Sequence, residues 1–205
     1  MPKMNKKQIE IEISKLLDFS EPKFNLEQYT TPSSIAMEIL WDAYNDNLIE
    51  DKIIMDLGVG TGILSIACGL LGAKKLICVD IEKQNEFETN MSTYDLKYEF
   101  IQNDLSENIE LPHVDLVIMN PPFGVKNKGI DISFLKNSMN CSNNIYSFHK
   151  ASTKEYVQKF IEKNKFSIIK TFNFKFPLRN KMAHHTSKLK YIDVICFKIK
   201  KRIKL

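Results

Sequence analysis

Four consecutive residues, Asn120, Pro121, Pro122 and Phe123, have the types needed to hold a flat amino group. The asparagine side-chain carbonyl accepts one N–H. The backbone carbonyl of Pro121 accepts another, on a path that the prolines fix and with no prolyl N–H to compete. The phenyl ring stacks on the plane that carries the amine. The tetrapeptide follows residues 114–119, an apolar run that reads as a buried parallel strand. Taken alone, it is equally a proline-rich turn closing a strand.

A second group suits a nucleotide-like ligand. Residues 52–56 form a short apolar strand, Leu57-Gly58-Val59-Gly60-Thr61-Gly62 a glycine-rich turn, and residues 63–71 a helical run. Strand, glycine turn and helix bring backbone close to a ligand at a helix N-terminus. Residues 75–80 form a second strand ending in Asp80, placed where a carboxylate accepts the two hydroxyls of a ribose. Its plain alternative is an acid capping a helix over 82–94. A third strand, 98–104, ends in Asp104, whose carboxylate suits an adenine amino group, with Leu105 for the face of the base. Strands ending in Asp80, Asp104 and Asn120 place these groups on one rim of a parallel sheet, where open α/β sheets bind ligands.

The remaining elements must hold that rim. Residues 6–17 carry Ile9, Ile13, Leu16 and Leu17 at helical spacing. Thr31 before Pro32 predicts a helix start, hydroxyl at the cap and proline at the first helical position, running to about Asn47. Gln28, Tyr29 and Thr31 then read as polar groups held against that helix. After Phe123 comes a basic loop over 124–129, a helix over 131–140 and a strand over 144–149. Ser152 or Thr153 caps a helix to about Lys163. Residues 166–176 and 188–200 alternate as an antiparallel pair. The polar stretch 177–187 between them holds His184 and His185, which read as solvated rather than metal-ligating.

At 205 residues the chain suits a single domain: helices over 1–50, a cofactor-binding core over 51–165, and a basic strand pair and tail over 166–205. Residues 166–205 hold nine Lys and two Arg against one acid, Asp193, a net of +10; with +4 overall, residues 1–165 carry −6. A basic end on an acidic body points to a polyanionic partner, nucleic acid first. Cys68, Cys78, Cys141 and Cys196 lie far apart with no C-x-x-C pair, which argues against a zinc site or disulfide scaffold and fits a reducing compartment. No segment has the length of a membrane span and no signal-type core follows the N-terminus, so the expected location is cytoplasmic or nuclear, with no membrane partner.

Together these residues resemble a class I S-adenosylmethionine-dependent methyltransferase acting on an amino nitrogen, and more closely the methyltransferase-like-five family, which makes N6-methyladenosine in small-subunit ribosomal RNA. Leu26-Glu-Gln-Tyr-Thr-Thr31, Leu64-Ser-Ile-Ala67, Asn120-Pro-Pro-Phe-Gly-Val-Lys-Asn-Lys-Gly-Ile-Asp131 and Tyr146-Ser-Phe-His-Lys-Ala-Ser-Thr153 carry the resemblance, over roughly residues 20–200. It implies a Rossmann-like α/β fold: a seven-stranded, mostly parallel sheet, last strand antiparallel, helices on both faces. It implies cofactor contacts at Gln28, Thr31, Gly58, Gly60, Thr61, Gly62, Ile63, Asp80, Asp104 and Leu105, and catalysis by Asn120, Pro121, Pro122 and Phe123. Val59-Gly-Thr61 departs from the Cys-Gly-Cys common in relatives, though Thr61 still presents a hydroxyl and an N–H. Lys126, Lys128, Arg179 and Lys181 are candidate phosphate holders. The resemblance also implies a heterodimer with a small zinc-binding activator protein docked along a strand edge, for which residues 97–102 are the candidate. Protein-glutamine N5 and DNA adenine-N6 methyltransferases use a similar motif and remain rivals; a non-catalytic S-adenosylmethionine-binding subunit is a more distant one.

Overall fold

The computed structural model describes residues 4–23, 26–124, 127–178 and 190–202. Helix α1 (Lys6–Ile13) starts in a reciprocal capping box: Asn5 Oδ1 accepts the Gln8 N–H at 3.0 Å, and Gln8 Oε1 accepts the Asn5 N–H at 2.9 Å. It buries Ile9 and Ile13 and then stops, four residues short of the sequence reading. Asn90 supplies the reason. Its side chain accepts the Leu17 N–H at 2.8 Å and donates to the Leu17 carbonyl at 3.0 Å, drawing the chain out of the helix and leaving Leu17 49% exposed.

Helix α2 (Ser33–Asn45) corrects the expected start. Pro32, not Thr31, stands at the cap, with φ −56° and ψ 136°, and no side chain among the described residues caps the helix. The Thr31 hydroxyl is used elsewhere. Strand β1 (Ile53–Leu57), helix α3 (Ile63–Leu70), strand β2 (Lys75–Asp80), helix α4 (Asn85–Ser92) and strand β3 (Tyr98–Gln102) follow. Because α4 begins at Asn85 with Gln84 at its cap, Asp80 is not that helix's cap. Strand β4 (Leu116–Met119), helix α5 (Ile130–Cys141), strand β5 (Asn144–Lys150), helix α6 (Lys154–Lys163), strand β6 (Phe166–Leu178) and strand β7 (Lys190–Lys201) complete the order.

Among the described residues, seven strands form one sheet, β3-β2-β1-β4-β5-β7-β6. Strands β1 to β5 pair in parallel; β7 is antiparallel to both β5 and β6, so β7 alone runs against the rest. The chain winds outward from β1 to β3 and then returns to β4 on the other side of β1. The crevice at that reversal is where an open sheet of this kind takes its ligand. Register makes the crevice specific. Leu57 pairs with both Val79 and Met119, and Asp80 with Gln102, which sets Gly58, Asp80, Gln102 and Asn120 level on one rim, with Asp104 two residues beyond.

Alternation along the strands divides the core. Ile54, Leu76, Cys78, Leu116, Ile118, Tyr146 and Phe148 face a cluster with α1, α2, α3 and α4. Met55, Leu57, Ile77, Val79, Val117, Met119 and Ile145 face a second cluster with α5 and α6. Strand β4 is buried throughout, as its continuous apolar run requires. Strands β3 and β6 are the edges. A register shift between Ile168 and Lys170 distorts β6, and Ile169 there is 55% exposed. On β3 only Phe100 and Ile101 are half-buried, and Tyr98 is 38% exposed. The four cysteines are buried and unpaired. No helix among the described residues is long and apolar enough to cross a membrane.

Candidate active site

The glycine turn is tied to the sheet first through its backbone. The Gly58 and Val59 N–H groups donate to the Val79 carbonyl at 2.8 and 3.2 Å, locking the turn to β2. Gly60 and Gly62 hold φ +54° and +89°, the left-handed region that glycine enters without a Cβ clash. Gly60 also meets the tip of the Phe19 ring: an added Cβ would stand 3.0 Å from its Cζ. Gly62 faces Phe87 and Ile66 rather than the cleft, so it shapes the turn and starts α3.

Asp80 closes this half. Its Oδ2 accepts the Gly60 N–H at 2.8 Å and its Oδ1 accepts the Ile81 N–H at 2.8 Å. The carboxylate plane is thereby fixed, with lone pairs left for hydroxyl donors. Burial raises its pKa, against the backbone N–H groups that favour the charge. One cleft is lined by Gln28, Thr31, Gly58, Gly60, Thr61, Ile63, Asp80, Asp104, Leu105, Asn120 and Pro122 of the expected residues. Asp104 is exposed and accepts the Ser106 N–H at 2.8 Å, while Leu105 is buried beside it.

The other half is held by side chains. Asn120 Nδ2 donates to Thr31 Oγ1 at 2.9 Å, which turns Asn120 Oδ1 the opposite way. The Tyr29 hydroxyl lies 3.2 Å from that Oδ1 and 3.4 Å from the Pro121 carbonyl oxygen. Both acceptors of the motif therefore converge on one point. The Tyr29 ring lies over Phe123, centroids 5.2 Å apart and planes tilted by 31°, with Phe176 edge-on to both. Phe123 is 6% exposed and does not reach the cleft surface. Burial, then the Glu27 carboxylate, pushes the Tyr29 phenol pKa well above its ordinary value, so it is a neutral donor.

Several contributors are not marked by the sequence as residues of the site. Phe19, Leu26 and Tyr29 come from residues 18–23 and 26–31, which cover the cleft. Glu82 anchors that cover through a Lys23 ion pair and a 3.4 Å contact with Gln28. Asn90 ties Thr61 to Leu17, donating to the Thr61 carbonyl at 2.9 Å. The helical spacing of α4 marks Asn90 as inward-facing; nothing local marks Phe19 or Glu82.

Of the candidate phosphate holders, Lys128 is exposed, while Lys126, Arg179 and Lys181 lie outside the described residues, as do His184 and His185. Part of the basic end is committed inside the fold. Lys170 and Lys198 bond Asp42 of α2 at 2.6 and 2.8 Å, and Lys198 also bonds Asp46 at 2.6 Å. Burial opposes the Asp42 charge, but Lys170, Lys198 and Tyr146 hold its carboxyl down to about 2.

This rim and sheet are those of a methyltransferase, and comparison with known proteins agrees. Residues 34–143 match the Methyltransferase small domain family. The rRNA N6-adenosine-methyltransferase METTL5 of Danio rerio is 33% identical over 204 residues, covering 95% of this chain and 99% of the relative. A solved Pyrococcus horikoshii protein, PH1948, described as a candidate RNA methyltransferase, superposes with a TM-score of 0.89 at 37% identity, covering 98% of this chain and 99% of that one. A Methanocaldococcus jannaschii protein described as a candidate protein N5-glutamine methyltransferase is 35% identical over only 77 residues, 37% of this chain and 39% of that protein. The chain belongs to the METTL5 family of rRNA N6-adenosine methyltransferases.

Proposed function

We propose that this chain transfers a methyl group from S-adenosyl-L-methionine to the N6 amino group of an adenosine in small-subunit ribosomal RNA. The observation that carries this reading is the convergence of Asn120 Oδ1 and the Pro121 carbonyl oxygen on one hydrogen-bonding point beside the glycine turn. The cleft fits the cofactor by its own chemistry: a tight glycine turn at the start of α3, and a carboxylate of fixed orientation at the end of β2. Gln28, Thr31, Gly58, Gly60, Thr61, Ile63, Asp80, Asp104 and Leu105 would hold it, Asp80 through ribose hydroxyls. When bound, it supplies an electrophilic methyl group on a sulfonium.

An adenine amine is a weak nucleophile because its lone pair is conjugated with the ring. Asn120 Oδ1 and the Pro121 carbonyl hold its two N–H bonds, which directs the lone pair away from the ring plane. Thr31 keeps the Asn120 amide from turning over. Orientation of this kind contributes several of the roughly 7–11 kcal/mol available to well-placed reactants. Phe123 offers the base a stacking face. No strong base is required, because the amine proton becomes acidic only as the new bond forms. Lys126, Lys128, Arg179 and Lys181 contact phosphates and position the RNA rather than read it.

A planar glutamine amide would satisfy the same two acceptors, so product identity is the test. Labelled S-adenosylmethionine is incubated with total RNA, DNA and protein, and the products are mapped. Label in small-subunit rRNA as N6-methyladenosine is expected; label in protein as N-methylglutamine, or none in RNA, overturns the proposal. The proposed heterodimer with a zinc-binding activator protein is supported by β3, an edge strand with Tyr98 exposed. Co-expression with such an activator is expected to raise soluble yield; a soluble, fully active monomer overturns the pairing.

A further inference from the structure

We propose that Tyr29 is a built-in occupant of the target-base pocket, a phenol standing where the adenine must go, which RNA has to displace. The inference rests on the adenine-methylation reading and adds a regulatory step to it.

The geometry makes Tyr29 and an adenine mutually exclusive. An amino nitrogen bonded to both Asn120 Oδ1 and the Pro121 carbonyl would sit near 2.9–3.0 Å from each. The Tyr29 hydroxyl oxygen already lies 3.2 and 3.4 Å from the same two atoms. The rings compete as well. A base stacked on Phe123 needs its centre about 4.5–7 Å from the phenyl centroid, and the Tyr29 ring is 5.2 Å away on that face. A stacked base therefore replaces Tyr29 and does not lie between the two rings.

A merely structural tyrosine would need one acceptor for its hydroxyl. Tyr29 instead reaches both acceptors of the motif, with a single proton for the two. Both contacts are longer than a good O–H···O bond, and the stack is tilted by 31°. They are cheap to break. Two residues before, Glu27 holds φ +50°, a left-handed conformation unusual outside glycine, so the backbone entering Tyr29 is itself under strain.

The arrangement has a use. With no RNA bound, Tyr29 satisfies the paired acceptors and keeps water and small amines off the point to which a methyl donor is presented. A free nucleoside has only its own stacking and two hydrogen bonds to set against Tyr29. An RNA adds contacts to phosphates. Displacement thus favours a base delivered on a strand over one free in solution.

The test is a ligand-observed NMR titration of wild-type chain, Tyr29→Phe and Tyr29→Ala, each saturated with S-adenosylhomocysteine to fill the cofactor half, with two probes, adenosine and N-acetylglutamine amide. Tyr29→Phe is expected to bind adenosine about two- to tenfold more tightly than wild type, the release of one neutral hydrogen bond. Tyr29→Ala should bind at least as tightly as Tyr29→Phe. Thermal melting checks that each variant folds, and Tyr29→Phe decides alone if Tyr29→Ala does not. Tightening for the glutamine probe only keeps the occupant and overturns the adenine reading. No tightening for either probe overturns the occupant. With small-subunit rRNA, Tyr29→Phe should lower KM without lowering kcat; a lower kcat assigns Tyr29 to the chemistry and overturns the proposal.

Discussion

The two halves of the cleft are held by different means. The cofactor half is built largely on backbone from adjacent strands: the Gly58 and Val59 N–H groups bond the Val79 carbonyl, and the Gly60 N–H bonds the Asp80 carboxylate at the end of the next strand. The amine half is assembled by side chains from distant segments. Thr31 and Tyr29, which set and occupy Asn120, lie 89 and 91 positions from it. A backbone cradle is rigid because the sheet is rigid. A side-chain cradle is adjustable, and here its occupant is another part of the chain. The division predicts that each half fails separately.

The largest separation is expected for Asn120→Ala. Loss of one oriented hydrogen-bonding group at a reacting centre costs about 10²–10³-fold in turnover. S-adenosylmethionine affinity, read by calorimetry, should stay at the wild-type value. Near-normal turnover in this variant would remove Asn120 from the mechanism and dissolve the comparison.

The converse variant is Asp80→Asn. It keeps the side-chain shape and removes the charge that accepts ribose hydroxyls. Cofactor affinity is expected to fall by about 10- to 100-fold, in keeping with the ~1.5–3 kcal/mol of a hydrogen bond to a charged group. Turnover at saturating cofactor should remain close to wild type. A drop in turnover with unchanged affinity would mean that Asp80 acts on the amine half.

The same division explains what was readable in the chain. The glycine turn, Asp80 and the Asn-Pro-Pro-Phe motif announce themselves within a few residues, and the order of strands follows from apolar runs and the turns between them. Three features depended on contacts that no local pattern encodes. Thr31 reads as a helix cap because a hydroxyl before proline is one in most chains; its hydroxyl is instead taken by Asn120, and Pro32 stands at the cap without a side-chain bond. Helix α1 ends early because Asn90, 73 positions away, captures the Leu17 peptide. Tyr29 reads as a polar neighbour of a helix, and only the packed structure sets it on Phe123.

Thr31→Val sharpens the comparison at smaller amplitude. It keeps volume and branching and removes the acceptor of Asn120 Nδ2. A buried donor left without a partner costs about 1–3 kcal/mol, and part of that falls on the orientation of Asn120. Turnover is expected to drop by about tenfold, more than cofactor affinity drops. Thr31 also lines the cofactor cleft, so a change in affinity larger than the change in turnover would assign it to the other half.

The smallest effect concerns stability, and it belongs to the cofactor half. Asp56 near the end of β1 is 2% exposed; its Oδ2 accepts the Ser65 hydroxyl at 2.7 Å, and its Oδ1 has no partner among the described residues. Burial raises its pKa to about 7, the nearby Asp80 charge adds to the rise, and the Ser65 bond opposes it. Burial raises the Cys68 and Cys78 thiols on the same side as well, so both stay neutral beside Asp56. Between the ordinary carboxyl pKa and about 7 the folded chain holds a proton on Asp56 that the unfolded chain has released. The stabilisation is complete below the ordinary value and is lost as pH rises through about 7. Asp56→Asn, neutral at every pH, should therefore melt with a shallower decline between pH 5 and 8 (about two to four degrees per kcal/mol for a chain of this size). Calorimetric melting across that window reads the difference. Equal slopes for wild type and variant would mean that Asp56 is not the group that titrates.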